Sequence, residues 1–111
     1  MAETLRRGCL YWARLDKRRP VLVLSPDYRN ELASDVIVIP CSTNLYLSPT
    51  HVLLRKAEGG LTTASVLKCE QVTTLHKEDV GGAIGRPLSA KRLVEVEIAV
   101  LRAIGVALPT G

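Results

Sequence analysis

Two short segments carry the side chains best suited to chemistry. Arg18-Arg19 leads into Pro20-Val21-Leu22-Val23-Leu24-Ser25-Pro26, and Ser42-Thr43-Asn44 follows Val36-Ile37-Val38-Ile39-Pro40-Cys41. Each apolar run is β-branched or aliphatic and bounded by proline, the composition of a buried strand. The polar residues stand at the strand ends. If the two strands are neighbours, a guanidinium and two hydroxyls converge on one small cleft. A guanidinium is a rigid donor fork that matches two phosphate oxygens, and a hydroxyl adds a further donor. Such a group suits a phosphodiester, and RNA cleavage is the reaction it brings into view.

Cleaving RNA without a metal needs a base for the 2′-OH, an acid for the leaving 5′-oxygen and donors around the charged phosphorane. Arg19 is the candidate for stabilising that charge. Proton delivery by the same group demands a dry site, because its pKa is so high. On its own, an arginine beside a turn is an ordinary solvated side chain. Likewise Ser42, Thr43 and Asn44 are of the types that satisfy backbone groups in turns. No carboxylate–histidine constellation has metal-ligand spacing, so no metal and no cofactor is expected.

The elements that must position these residues can be read from the pattern. Residues 10–15 (Leu-Tyr-Trp-Ala-Arg-Leu) look like a first strand, and Asp16-Lys17-Arg18-Arg19 like a tight, charged turn into a second strand at 21–25. Pro26-Asp27 breaks that strand, and residues 28–34 read as a loop or a single helical turn. A third strand covers 36–39, and a polar loop from Ser42 to Thr50 leads to extended chain at 51–54. Gly59-Gly60 marks a turn. A further strand covers 65–72, and Thr73-Thr74-Leu75 is β-prone beyond it. The period then changes. Ser89 can cap a helix over 90–104, and Gly105 can stop it. Val94, Ile98 and Leu101 form one stripe, widened by Leu93, Val96 and Val100, which suggests burial against the sheet and against a second subunit. Five or six short strands closed by one helix predict a small, strongly curved β-barrel.

At 111 residues the chain is long enough for one domain, residues 1–111, with a real core. It has no Phe, so Val, Leu and Ile must fill the interior, with Tyr11 and Trp12 as the largest core pieces. The net charge of +4 leans toward polyanionic partners without establishing them. Cys9, Cys41 and Cys69 are odd in number, lack CxxC spacing and lie in or beside apolar strands. They read as small hydrophobes in a reducing cytosol, giving a cytoplasmic expectation. The first eight residues lack the apolar segment of a signal peptide, and no run approaches membrane-spanning length, so no membrane association is expected.

With these pieces in order, the chain resembles the MazF/PemK (Kid) family of bacterial toxins. Arg7-Gly8 before Tyr11-Trp12 is similar to the family's opening strand, with Cys9 where an acid is usual. Arg19-Pro20-Val21-Leu22-Val23 looks like its R-P-[VA]-L-V signature, and Pro40-Cys41-Ser42-Thr43-Asn44 like its P-[IV]-[TS]-[ST]-[NS] turn. Residues 65–72 resemble the D-S-V-V-x-C-[ED]-Q-[IV] strand, with Ala64 in place of Asp. Ile84-Gly85 before a Leu-Ser entry to a terminal helix is another shared feature.

The resemblance implies an SH3-like small barrel with a C-terminal helix. It further implies a homodimer that cleaves single-stranded RNA at short motifs without metal, as the toxin of a type II toxin–antitoxin system. The implied partners are the RNA and a cognate antitoxin with an acidic tail. In this frame Arg19 and Ser42 are catalytic, with Ser42 where the family places a threonine and Thr43 able to take the role if the turn shifts by one. Thr43, Asn44, Pro49, His51, Glu70 and Gln71 are implied to contact substrate, the last two from the groove floor, where they can read unstacked base edges. His51 by its type is a packing or hydrogen-bonding residue more than a catalyst.

Three departures stand out. The family's longer loop between the first two strands is replaced by Asp16-Lys17-Arg18, so its substrate contacts are missing or come from Lys17 and Arg18. Thr73 and His76 stand where Arg and Asp are frequent; His76 is of the side-chain type suited to acid–base work, or is a solvated surface residue. Ser42 stands in for Thr. These leave open a weak or inactive RNA- or protein-binding module on the same fold. A gyrase inhibitor of the related CcdB type ranks last, because Leu108-Pro109-Thr110-Gly111 lacks that branch's tryptophan-containing tip.

Overall fold

A computed structural model describes residues 4–108. Among the described residues are seven antiparallel strands: β1 (Leu10–Arg14), β2 (Arg18–Val23), β3 (Asp35–Ser42), β4 (His51–Leu54), β5 (Ser65–Lys68), β6 (Thr73–His76) and β7 (Val80–Ala83). Two helices join them, the six-residue α1 (Asp27–Leu32) and the long α2 (Ala90–Ala103). The strand order is β4-β5-β3-β2-β1-β7, with β6 also on β3. β3 is therefore shared: residues 35–38 pair with β6, and Cys41 and Ser42 pair with β5.

Alternation along the central strands builds two apolar layers, because successive side chains point to opposite faces. Tyr11, Val21, Val23, Val36 and Val38 form one buried cluster, and Leu10, Leu22, Ile39 and Cys41 belong to the other. Leu75 of β6 and Val80 of β7 both pack against the Tyr11 cluster although their strands lie on opposite sides of the central three. Only a sheet curled on itself brings them there, and a single 3-10 turn (Lys77–Asp79) joins them. The result is the expected small barrel. Its outer layer is covered by β4, β5 and α2, which buries Val96 and Ala99.

Several boundaries moved. β2 begins at Arg18 rather than at residue 21, because Arg18 and Arg19 pair with Arg14 and Ala13 of β1. β7 was not expected, since Gly81-Gly82 carries almost no strand propensity and its pairing with β1 supplies the order instead. Residues 69–71 form a 3-10 turn that ends the expected long strand at Lys68. Trp12 is half-buried rather than a core piece, lying under the Arg18 guanidinium at 4.5 Å, whereas Tyr11 is fully buried. On α2 the core-facing residues are Leu93, Val96, Ala99 and Val100, while Val94 is 51% exposed. The small side chain of Ala99 lets that face approach the sheet most closely, so the Val94 stripe turns outward.

The caps are as expected: Ser89 Oγ accepts the Arg92 N–H at 3.1 Å, and Gly105 has φ of 83°. All three cysteines are buried and free. Among the described residues, no helix is long and apolar enough to cross a membrane.

Candidate active site

The register of β2 on β3, Val21 opposite Pro40 and Leu22 opposite Ile39, extends to place Arg19 across from Ser42. Both fall on the alternation of the inner cluster, at the mouth of the barrel where β2 and β3 run out. They line one cleft of about 330 Å³, together with Asp16, Lys68, Gln71 and Thr73.

The β1–β2 hairpin explains how Arg19 is held. Its turn is closed by the Leu15 N–H donating to the Lys17 carbonyl at 3.1 Å, which folds Asp16 back beside Arg19. Arg19 Nε donates to Asp16 Oδ1 at 2.9 Å and Nη2 to Oδ2 at 3.0 Å. This side-on grip uses two of the five guanidinium donors, and the other three N–H groups, two on Nη1 and one on Nη2, have no partner among the described residues. The hydrogen bond to Asp16 raises the Arg19 pKa further against a smaller opposing desolvation, so the group is a standing cation and not a base. The same contact holds the Asp16 carboxyl well below the usual range.

Ser42 is arranged for donation. Its Oγ accepts the Asn44 backbone N–H at 3.1 Å, a local turn that leaves the hydroxyl proton to point elsewhere. Cys41, in the wall beside it, is no nucleophile: burial pushes its thiol up to about 12, with Cys69 nearby adding to the effect.

A second cleft of about 220 Å³ meets the first at Arg19, Cys41 and Ser42, and is lined beyond them by Trp12 and by Thr62 and Thr63. Thr43, Lys17 and Arg18 line this second cleft. A wider and more open cavity of about 680 Å³, between the hairpin and the β6–β7 turn, mixes the acids Asp16, Glu78 and Asp79 with the cations Arg14, Lys17 and Arg18 and includes neither Arg19 nor Ser42.

Not every expected residue joins the clefts. Arg19, Ser42, Thr43, Gln71, Lys17 and Arg18 do. Asn44 contributes only its backbone, to the Ser42 turn. His51 and Glu70 form a separate network: His51 Nε2 lies 3.0 Å from Glu70 Oε2 and Nδ1 2.8 Å from the Tyr46 carbonyl, and Thr50 Oγ1 donates to Glu70 Oε1 at 3.2 Å. Burial would raise the Glu70 carboxyl, but these hydrogen bonds, from His51 first, outweigh it and hold the pKa below the usual value. The reason is register. β4 pairs His51 with Lys68, turning the imidazole toward α2, where Arg102 Nη1 reaches the Pro49 carbonyl at 3.4 Å. Pro49, His51 and Glu70 thus brace the loop of residues 43–50 rather than line the clefts. His76 pairs with Asp35 at the other end of β3. Seven residues of strand separate it from Ser42, about 23 Å.

Asp16 and Lys68 are cleft residues that the sequence reading passed over. The signal for Asp16 was its place three residues before Arg19 across a tight turn. Arg7, in the opening motif, is structural: it donates to the Leu24 carbonyl and pairs with Glu97 of α2 at 2.5 Å. Among the described residues, no three His, Cys, Asp or Glu side chains gather as a metal site.

Residues 6–104 match the family described as PemK-like, MazF-like toxins of type II toxin–antitoxin systems. The chain is 34% identical over 96 residues to endoribonuclease MazF3 of Mycobacterium tuberculosis, covering 86% of this chain and 87% of that one. Among solved structures it is similar to the Mycobacterium tuberculosis toxin MazF-mt6, with a TM-score of 0.83 and 29% identity over 90% of this chain and 99% of that one. A mycobacterial endoribonuclease in complex with its cognate antitoxin shares the fold, with a TM-score of 0.83 at 24% identity over 95% of this chain and 99% of that one.

Proposed function

The chain belongs to the PemK-like, MazF-like toxins of type II toxin–antitoxin systems, and from that premise we propose that it is a metal-independent endoribonuclease that cuts single-stranded RNA at short sequence motifs. The observation that carries this reading is the open Nη1/Nη2 end of Arg19, fixed by Asp16 in the same cleft as the Ser42 hydroxyl.

The reaction is an internal displacement. The 2′-oxygen bonds to phosphorus as the P–O5′ bond breaks, giving a 2′,3′-cyclic phosphate on one fragment and a 5′-hydroxyl on the other. One proton leaves the 2′-OH and one arrives at the 5′-oxygen. As the phosphorane forms, negative charge grows on its non-bridging oxygens, and fixed donors aimed there are worth more than in the ground state. The free end of Arg19 can meet two of those oxygens bidentately. Ser42 donates a further hydrogen bond, and Lys68 adds positive charge from the opposite wall. The positive charge a cation would bring is thus supplied by side chains. Neither histidine lines the cleft, so the catalytic contribution is electrostatic rather than imidazole-based.

Two assembly features belong to the same proposal. The exposed stripe through Val94, half-covered at Ile98 and Leu101, supports a homodimer through α2. The cationic cleft fits an acidic antitoxin tail as well as RNA, in keeping with the antitoxin-bound relative.

The test is incubation of the purified, antitoxin-free protein with a long unstructured RNA, with and without EDTA, followed by mapping of 5′ ends. Discrete 5′-hydroxyl ends in both conditions are expected, with Arg19→Ala slower by about 10²- to 10³-fold at unchanged fold. RNA left intact under both conditions sinks the reading, and salt-sensitive binding without new ends would select a binding module instead.

A further inference from the structure

We infer that the second cleft is a pocket for a single unstacked nucleobase, carried by the nucleotide whose phosphate rests on Arg19 and Ser42, and that Thr62 and Thr63 help select which base it takes. This deepens the ribonuclease reading and rests on it.

Position comes first. The two clefts share Arg19, Cys41 and Ser42 as a common wall, so a phosphate held at that wall lies one sugar away from the second cleft. Size is the second point. At about 220 Å³ the space is smaller than the pockets of about 300 Å³ or more that hold drug-sized ligands, which suits one ring system.

The lining is the third point. Arg18 lies over the Trp12 ring at 4.5 Å, and Pro20 sits across from Trp12 in the hairpin register. An aromatic face with a guanidinium plane is the type of platform on which single-stranded bases stack. The opposite wall is polar. The hydroxyls of Thr62 and Thr63 are exposed and have no partner among the described residues, so both are available to a base edge. No carboxylate lines this cleft, while Lys17, Arg18 and Arg19 do.

The polar wall is also built to hold still. Gly60 (φ 89°) and Gly85 meet backbone to backbone: a Cβ on Gly85 would lie 2.7 Å from Gly60 Cα, and one on Gly60 would lie 2.6 Å from the Ile84 carbonyl oxygen. Ser65, buried at the base of the same cleft, donates to the Thr63 carbonyl at 3.2 Å. The Gly59-Gly60 and Ile84-Gly85 pairs thus clamp the segment that carries Thr62 and Thr63 against the end of β7. That gives those glycines a purpose that the phosphate cleft does not.

Trp12 is the chain's only tryptophan, so its emission reports on this pocket directly. The probes are 2′-O-methyl homo-oligonucleotides of A, C, G and U, which lack the nucleophile, and an abasic sugar-phosphate oligomer. Antitoxin-free wild-type protein is expected to change emission with at least one base and not with the abasic chain. The Thr62→Val/Thr63→Val double variant, nearly isosteric, is expected to alter the ranking of the four by about fivefold or more and to shift the map of RNA cut sites. Equal responses to all five oligomers would overturn the inference. So would an unchanged cut-site map in a double variant that still cleaves. A response to an acidic peptide with none to any oligonucleotide would overturn it as well. Base-dependent emission in a protein that cuts no RNA would support the pocket while sinking the ribonuclease reading.

Discussion

Asp16 grips Arg19 along one edge of its guanidinium, Nε to Oδ1 at 2.9 Å and Nη2 to Oδ2 at 3.0 Å, and leaves three N–H donors unpartnered on a residue that lines the same cleft as Ser42. Both groups lie on one hairpin, three residues apart, and the carboxylate is largely solvated. A solvated ion pair contributes little to stability. Its consequence is orientation: a long side chain with many rotamers is reduced to one useful direction before substrate arrives.

Removing the clamp is therefore predicted to impair catalysis and not folding. Asp16→Ala should slow cleavage by about 10²-fold, the scale of a misplaced catalytic group, with an unchanged unfolding midpoint. Asp16→Asn keeps one acceptor and should lose less. Arg19, first through its hydrogen bond, holds the Asp16 pKa well below the usual aspartate value. The carboxylate thus stays ionised above its lowered pKa, and the clamp opens only as pH falls through that value. The ratio of wild-type to Asp16→Ala rates should be the same at about pH 4.5 and about pH 7, where an ordinary aspartate near 3.9 would already be titrating at the lower value. Single-turnover rates on a short RNA measure this.

Ser42 separates a donor from a turn residue. Ser42→Ala removes both the hydroxyl proton and the acceptor for the Asn44 N–H, and a drop of about 10² in rate is expected. Ser42→Thr restores both on a stiffer β-branched side chain and should match or exceed the wild type. If alanine and threonine variants cut equally well, the hydroxyl serves only the turn.

Acid stability should depend on Glu58, which ties the segment before β5 to α2. Arg92 Nε and Nη2 donate to it at 2.9 and 2.7 Å, and those bonds, ahead of the opposing desolvation, lower its pKa. A folded pKa below the unfolded one gives stabilisation that is complete above about 4.3 and fades as pH falls through the folded value. Glu58→Gln should cost about 1 kcal/mol at neutral pH, a figure reduced for partial exposure, and should flatten the acid side of the stability curve. Urea unfolding between about pH 3 and 7 reads both effects.

The outward stripe of α2 makes a prediction about assembly. Light scattering at micromolar concentration should give a dimer for the wild type and a monomer for Val94→Glu. The variant should keep its fold, because Val94 is half exposed in the single chain and such substitutions usually change stability by no more than about 0.5 kcal/mol. A Val94→Glu variant that stays dimeric would move the interface elsewhere.

Much of the scaffold was legible because its signals are local. The β-branched runs at 21–23 and 36–39, the Ser89 cap, the Gly105 stop and the 3.6-residue period of α2 each follow from φ/ψ preference and side-chain patterning within a few residues. The broad apolar face of α2 was legible, but not which part of it meets the sheet: periodicity finds apolar positions, and only packing shows that Leu93, Val96, Ala99 and Val100 turn inward and Val94 outward. β7 was missed because two glycines carry no strand preference of their own.

The site divides along the same line. An arginine and a serine at the ends of two apolar strands can be read from the residue order, and once β2 pairs with β3, strand alternation sets the face each one occupies. The folded chain alone reveals that Asp16 fixes the arginine, that His51 and Glu70 hold each other near α2, and that His76 lies at the far end of β3. It also shows that Trp12 stays at the surface beneath Arg18. The physical reason is that these outcomes depend on inter-strand register and the closing of the sheet. A shift of one residue in register would send the strand residues Trp12, Arg19 and His51 to the opposite face.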